Sequence, residues 1–299
     1  MSIIVLGTVA LDTVKTPQGL RKNMLGGSAV HFSMSARVFT PVNLVAIVGR
    51  DFPQRHIRFL KERGIILASL ICDSGKTFRW EGEYQGDLNC AITKNTQLGV
   101  LLKFCPRVSR QQKGIKNVFL ANVDPDLQNR LLDCLDSPQL VALDSMNYWI
   151  EHKPKPLLRL LKRVDIYLAN DQEARALSGE HNLIKAAKYL NRLGPQMVLI
   201  KKGEHGVIFY CPGFIISLPA YPTDKVVDPT GAGDTFAGGF MGYLCGKKKL
   251  SQANIKKAIA YGTIAASFNV EGFGVEKTAG LCRRDLERRL FKFKKILAF

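Results

Sequence analysis

Short apolar runs alternate along the chain with stretches whose apolar positions recur every three to four residues. Residues 3–7 read as a buried strand. Gly26-Gly27-Ser28 then opens a helix, with Ser28 as its cap and Val30, Met34 and Val38 on one face. Residues 43–48 form the next strand, and Pro53 starts a helix that runs to about Gly64. This β-α-β-α order predicts a doubly wound, mostly parallel sheet. The order then breaks. Residues 65–72, 77–84 and 97–104 read as strands with turns but no helices between them. Residues 12–25 are polar, contain glycine and lack a helical period. Together they predict a small sheet projecting as a lid, formed by about 12–25 and 72–104 within a single domain spanning 1–299. Alternation resumes with strands at 117–121, 139–143, 164–168 and 197–200, and helices at 125–135, 154–163 and 170–193. An antiparallel pair follows at 207–210 and 214–218, then helices at 233–246, 251–269 and 283–291.

Composition narrows the class. The 299 residues are 46% hydrophobic and 23% charged, enough for one large α/β domain. No apolar run reaches the roughly 20 residues of a membrane span, and the N-terminus reads as a first strand rather than a signal peptide. The seven cysteines form no C-x-x-C pair and fit free thiols in a reducing compartment, so a cytoplasmic protein is expected. The net charge of +18 is compatible with nucleic acid, an acidic membrane surface or anionic substrates. Its densest cluster, 283–295, reads as a solvated helix face. Basic and aromatic residues do not interleave as a base-stacking platform requires, so a nucleic-acid partner is not expected, and a non-enzymatic basic nucleic-acid-binding protein stays a remote alternative.

The chemistry concentrates in Asp228-Pro229-Thr230-Gly231-Ala232-Gly233-Asp234-Thr235-Phe236. An apolar run ends at an acid, a Gly-rich turn follows, and a second acid stands where a helix begins. Phe236, Phe240 and Leu244 mark one face of that helix, and Ala237, Gly238 and Gly242 suit close packing on a sheet. Glycines at a helix N-terminus favour an anion through free N–H groups and the helix dipole. The bland alternative is a turn with a helix cap. A dinucleotide fingerprint would need Gly at 236, and a Walker A loop ending at Gly75-Lys76-Thr77 would need Gly at 70; these positions hold Phe and Leu. Polar residues also follow other strands: Asp12, Asp144, Asn170 and Lys201. In open α/β sheets ligands bind beyond the C-terminal strand ends.

The Asp228–Phe236 stretch resembles the D-x-x-G-A-G-D signature of the ribokinase/PfkB family of carbohydrate and nucleoside kinases. Three further stretches are similar in order and spacing: Gly26-Gly27, the N-x-x-E of Asn170–Glu173, and the K-x-G-x-x-G of Lys201–Gly206. The resemblance implies a ribokinase-like three-layer α/β/α sandwich with a β lid. It also implies ATP-dependent phosphoryl transfer to a hydroxyl of a small sugar, with a nucleoside as the alternative acceptor. Asp234 would be the base, and the backbone of Gly231, Ala232 and Gly233 the anion hole. Asn170 and Glu173 would organise Mg²⁺ through water, although Asn followed by Glu three residues on is equally a capping box. Asp228 and Thr230 match positions that bind a monovalent cation in some members, which makes K⁺ a candidate. Lys201, Gly203 and Gly206 would shape the nucleotide pocket, with Asn269 and Gly272 near the adenine. Asp12, Gly26 and Gly27 would hold the acceptor. His31 stands where the family usually has Asn. The lid face of Phe78, Trp80, Gly82 and Tyr84 offers Trp80 for ring stacking or, alternatively, a lid core or homodimer contact. Tyr148 and Trp149 are a second aromatic wall, and Arg79 a candidate for a phosphate already on the substrate.

Overall fold

The computed structural model describes residues 1–86 and 88–298; residues 87 and 299, part of the expected lid and domain spans, lie outside it. The apolar strand β1 (Ile3–Leu6) enters the interior of the main sheet. The chain leaves it as a hairpin, β2 (Ala10–Thr16) and β3 (Gly19–Gly26), and returns through α1 (Ser28–Ala36) to β4 (Val42–Gly49). Helix α2 (Gln54–Glu62) leads to β5 (Ile66–Asp73). A second excursion supplies β6 (Arg79–Tyr84) and β7 (Ala91–Gln97), followed by a 3-10 turn at Gly99–Lys103 and the short α3 (Arg110–Lys113). Strand and helix then alternate through β8 (Asn117–Leu120), α4 (Pro125–Asp133), β9 (Leu140–Asp144), α5 (Asn147–His152), α6 (Pro154–Leu161) and β10 (Ile166–Asn170). They continue as α7 (Asp171–Ser178), α8 (Leu183–Arg192) and β11 (Met197–Lys201). The hairpin β12 (Val207–Cys211) and β13 (Phe214–Leu218) precedes α9 (Ala232–Cys245), α10 (Gln252–Asn269) and α11 (Arg283–Leu297).

Nine strands form the main sheet in the order β13-β12-β11-β10-β9-β8-β1-β4-β5, parallel from β11 to β5 and antiparallel at the β12–β13 edge. Both faces are buried, as a parallel sheet covered by helices requires. Ile3 and Val5 of β1 point into one apolar core, with α1, α9 and α10; Ile4 and Leu6 point into the other, with α4, α6 and α8. This is the α/β/α sandwich. The second sheet, β3-β2-β6-β7, is made by the two excursions.

Two expected strands are corrected. The strand expected over 65–72, within the strand-rich insertion, is found at Ile66–Asp73. It pairs in parallel with β4 at the edge of the main sheet, because α2 completes a β-α-β unit there. Residues 97–104 are not a strand. Gly99 takes φ +53 against Lys76 O, and a 3-10 turn follows. The strand lies earlier, at Ala91–Gln97, where every residue is exposed and polar positions interrupt any apolar run. The small residues of α9 also face helices rather than the sheet. A Cβ on Gly238 would lie 2.3 Å from Phe32 O of α1, and one on Gly239 2.9 Å from Tyr261 O of α10. Overpacking of this kind typically costs about 1–3 kcal/mol.

Candidate active site

The parallel register brings the polar strand ends together. Leu168 pairs with Asp144, and Asn170 with Lys201, so β9, β10 and β11 end at one edge. Lys201 forms an ion pair with Asp144 there; the two side chains are 17% and 6% exposed. Burial opposes the charge on Lys201, yet Asp144 and Glu173 hold it above its ordinary value. Asn170 and Glu173 do form the capping box: Asn170 Oδ1 accepts from Glu173 N and Glu173 Oε2 from Asn170 N, both at 2.7 Å. The cap is not the whole of it. Burial and the neighbouring Asp144 push Glu173 up to about 8, against the pull of Lys201.

The Gly-rich turn enters α9 from the next segment. Asp228 is fully buried and braces it, with Oδ1 accepting from Thr230 N (2.9 Å) and Oδ2 from Gly274 N (3.0 Å). Gly231 is the helix N-cap at φ +73, and a Cβ there would lie 2.2 Å from the His31 ring. A side chain there would strain the backbone and collide with the His31 ring. Ala232 turns its N–H to Pro229 O at 3.1 Å. Lys201 Nζ lies 3.1 Å from where a Cβ of Gly233 would be, so the ammonium sits against the turn. Asp234 lies in the first turn of α9 but is not its cap. Burial and Asp144 push it up to about 7, with Lys201 opposing.

On the other side, Asp12 of β2 pairs in register with Trp80 of β6, so both side chains share a face of the small sheet. Asp12 Oδ2 accepts from Gly27 N at 3.2 Å. A Cβ on Gly26 would lie 1.9 Å from that oxygen, and Gly27 has φ +95, so the Gly-Gly pair is what lets the carboxylate sit against the start of α1. Burial raises Asp12 to about 7; the Gly27 N–H opposes this, and Asp228 and Asp234 add to it. His31 is buried, its Nδ1 3.1 Å from Asn269 Oδ1 and its Nε2 without a partner. Burial lowers its pKa, which keeps the ring neutral. Ser28 is not a cap. Gly27 caps α1, and the Ser28 hydroxyl donates to Asn122 O.

Beside Lys201 and the Gly-rich turn, and reaching Val207 of β12, lies a cavity of about 1450 Å³. Lys201, Gly203 and Gly206 line it. Asn269 and Gly272 do not. Asn269 faces inward from α10, where Oδ1 accepts from Thr235 Oγ1 (2.9 Å) and Nδ2 donates to Thr230 O (2.8 Å), so it braces the Gly turn. Gly272 packs against Lys277. The apolar wall comes instead from Tyr221, Val226, Phe236, Ala266 and Val270. Arg79 is also relocated: its guanidinium is held by Asp51 (2.8 Å) and Asn23, on the face opposite Trp80. Tyr148 is half-exposed and stacks on His152, while Trp149 donates to Asn122 Oδ1 at 2.9 Å.

Residues 3–279 match the family model for pfkB family carbohydrate kinases. The chain belongs to this family. It is 31% identical over 254 residues to a cytidine kinase of Thermococcus kodakarensis, covering 83% of this chain and 90% of that one. Among solved structures, the nucleoside kinase of Methanocaldococcus jannaschii superposes with a TM-score of 0.78 at 21% identity, over 98% of this chain and 99% of the other. A putative ribokinase II from E. coli, solved with ATP and Mg²⁺, gives 0.81 at 17% identity, over 97% and 99%. The fold is thus ribokinase-like, and the protein is an ATP-dependent phosphotransferase acting on a sugar or nucleoside hydroxyl. No helix among the described residues is long and apolar enough to cross a membrane.

Three residues of this pfkB-family kinase carry little signal in the sequence but hold the site together in the fold. Asp144 stands out only as one more polar strand end. Asn122 follows β8 in the same way, and its side chain joins Trp149 while its carbonyl joins Ser28. Tyr84 lies on the expected aromatic face of the lid, but only the fold carries its hydroxyl to Thr230.

Proposed function

We propose that this kinase transfers the γ-phosphoryl group of ATP to the primary hydroxyl of a nucleoside, with Asp234 as the base. The observation that carries this reading is the position of Asp234. It stands in the first turn of α9 beside the Gly231–Gly233 turn, with burial and Asp144 raising it to about 7. A base with a pKa near the working pH accepts a proton most effectively. The amides of Gly231 and Gly233, the α9 N-terminus and Lys201 would hold the transferred phosphoryl, while Ala232 keeps its bond to Pro229. The triphosphate would lie along Lys201–Gly206, with the base against Tyr221, Val226 and Ala266.

For the acceptor, Asp12 beside the Gly26-Gly27 turn suits a pair of neighbouring hydroxyls, since a carboxylate accepts two. Trp80, in register with Asp12, offers a flat apolar surface for the nucleobase. The cytidine kinase relative favours this over a free sugar. His31 would contribute Nε2 to the same site. The β2-β3-β6-β7 sheet would act as a lid that excludes water from the transfer.

The residues fit Mg²⁺. Asp144, Glu173 and Asp234 surround one ammonium, Lys201, and a bound cation would favour the ionised forms of Glu173 and Asp234, whose pKa values are raised without it. Among the described residues no group of three or more His, Cys, Asp or Glu is arranged to hold a metal directly. Asn170 and Glu173 would hold the cation through water, where it would neutralise charge on the phosphates. Asp228 and Thr230 fit K⁺ less well, because both Asp228 oxygens accept from backbone N–H groups and the Thr230 hydroxyl meets Tyr84. A rate that does not respond to K⁺ is expected. A cytoplasmic location and pairing of two copies through the small sheet complete the reading. Size-exclusion chromatography with light scattering checks the dimer. A panel of nucleosides and free sugars, followed by ADP release, tests the acceptor.

A further inference from the structure

The face of the small sheet that carries Trp80 and Gly82 ends at Tyr84. Its phenol is 8% exposed, and its oxygen lies 3.2 Å from Thr230 Oγ1, on a segment 146 residues away in the chain. Thr230 immediately precedes Gly231. Its N–H is fixed by Asp228 and its carbonyl by Asn269, so its hydroxyl is the part of the residue that meets the small sheet. Burial pushes the Tyr84 phenol up to about 12, partly offset by the Thr230 hydrogen bond and reinforced by Asp228 and Asp12. The group is therefore neutral at any working pH and acts through its hydrogen bond, not through charge.

Among the described residues, the same hairpin makes further contacts across the crevice. Asn89 Nδ2 donates to Glu204 Oε1 at 3.2 Å, and Gln172 Nε2 lies 3.4 Å from Cys90 Sγ. Leu88, Asn89 and Cys90 line the 1450 Å³ cavity. One hairpin thus reaches the Gly turn, the 203–206 turn and the first turn of α7. All three border the donor cavity, whereas Asp12 lies on the strand beside that hairpin. A lid concerned with the acceptor alone would not need these contacts.

We infer that Tyr84 is a positioning residue for phosphoryl transfer: its hydroxyl joins the small sheet to the Gly231–Gly233 turn, so that lid closure and shaping of the phosphate-binding turn occur as one step. The inference rests on the kinase reading of this crevice. It assigns the β6–β7 hairpin to the donor as well as the acceptor. Nucleotide binding then favours the closed lid before the acceptor hydroxyl is attacked, and water stays out while the phosphoryl group moves.

The test uses the full chain and the Tyr84→Phe variant, which removes one oxygen and keeps the ring. Loss of one hydrogen bond typically corresponds to a change of about three- to tenfold. The expected result is a fall of that size in kcat, with acceptor KM changed less than about twofold, and more than one ADP released per acceptor phosphorylated. Thr230→Val approaches the same contact from the other side, and the double variant is expected to be no worse than the poorer single one. Lower thermal stability with unchanged kcat and an unchanged ADP-to-product ratio would reduce Tyr84 to a packing role and overturn the inference, as would additive effects in the double variant. A readout independent of turnover separates this from the kinase reading. The chain has two tryptophans, so Trp149→Phe leaves Trp80 as the reporter on the lid face. A non-hydrolysable ATP analogue with Mg²⁺ is expected to shift Trp80 emission when Tyr84 is present and not in Tyr84→Phe. Equal shifts in both would contradict the coupling even if no acceptor were turned over.

Discussion

The two ends of the crevice are built differently. At the donor end, β9, β10 and β11 stop in register, and their terminal side chains hold one another: Lys201 with Asp144, and Asn170 with Glu173. The acceptor end is assembled across the chain, from Asp12 and the Gly26-Gly27 turn on one excursion and Trp80 on another, while Tyr84 of that second excursion reaches over to the donor end. The donor end draws its shape from the rigid main sheet. The acceptor end depends on a four-stranded sheet with β7 exposed along its whole length. On the proposed reading, the charged groups of the transfer belong to the main sheet and the groups that would choose a substrate to the small one. The same division is expected in mutants: donor-end changes act on turnover, acceptor-end changes on acceptor KM.

The largest effect is expected at Asp234. Asp234→Asn keeps the shape of the side chain and removes the base, so turnover falls by about 10²–10⁴ while ATP binding by calorimetry persists. Near-normal turnover would remove Asp234 from the chemistry. Gly231→Ala comes next. A left-handed backbone and a Cβ 2.2 Å from the His31 ring displace the turn, and a loss of about 10²–10³ in rate is expected, as for a removed anion-hole donor. Asp144→Asn leaves the Lys201 ammonium buried without its partner. Breaking a buried pair typically costs about 3–5 kcal/mol, so a lower denaturation midpoint should accompany the lower rate. Trp80→Ala is the smallest, with acceptor KM raised about two- to tenfold and ATP KM unchanged. An equal rise in both would blur the division between the two ends.

The pH response separates activity from stability. Asp234 must be ionised to accept a proton, so the rate should rise with pH through about 7 and then level off. Asp12 and Asp234, at about 7, and Glu173, at about 8, are raised above the values of an unfolded chain. The folded state therefore holds more protons than the unfolded state between about pH 4 and these values. Stability of the ligand-free protein should fall as pH rises through that window, while activity climbs. Thermal melts and rates measured over the same pH series check the opposition.

The legibility of the sequence follows the same division. Alternating apolar strands and periodic helices announce a doubly wound sheet, and Asp228–Phe236 holds the proposed base and anion hole in one continuous stretch. The lid was read less well. β7 has no apolar run because every residue is exposed, and β5 looks the same whether it joins the main sheet or the small one until its partner is known. Asn269 illustrates the limit within a helix: a neighbour of the cavity wall in sequence, it turns the other way and holds Thr230 and Thr235. Tyr84 and Asn122 depend on contacts between distant segments, which local patterns do not encode.

The central claim is that this pfkB-family kinase phosphorylates a nucleoside through Asp234. Incubation with Mg²⁺-ATP and a panel of nucleosides and free sugars, with the products identified by mass spectrometry, tests it most directly. The account predicts a nucleoside monophosphate formed with ADP, and no such product from Asp234→Asn. Phosphorylation of free sugars alone would contradict the acceptor, and product formation at an undiminished rate by Asp234→Asn would contradict the mechanism.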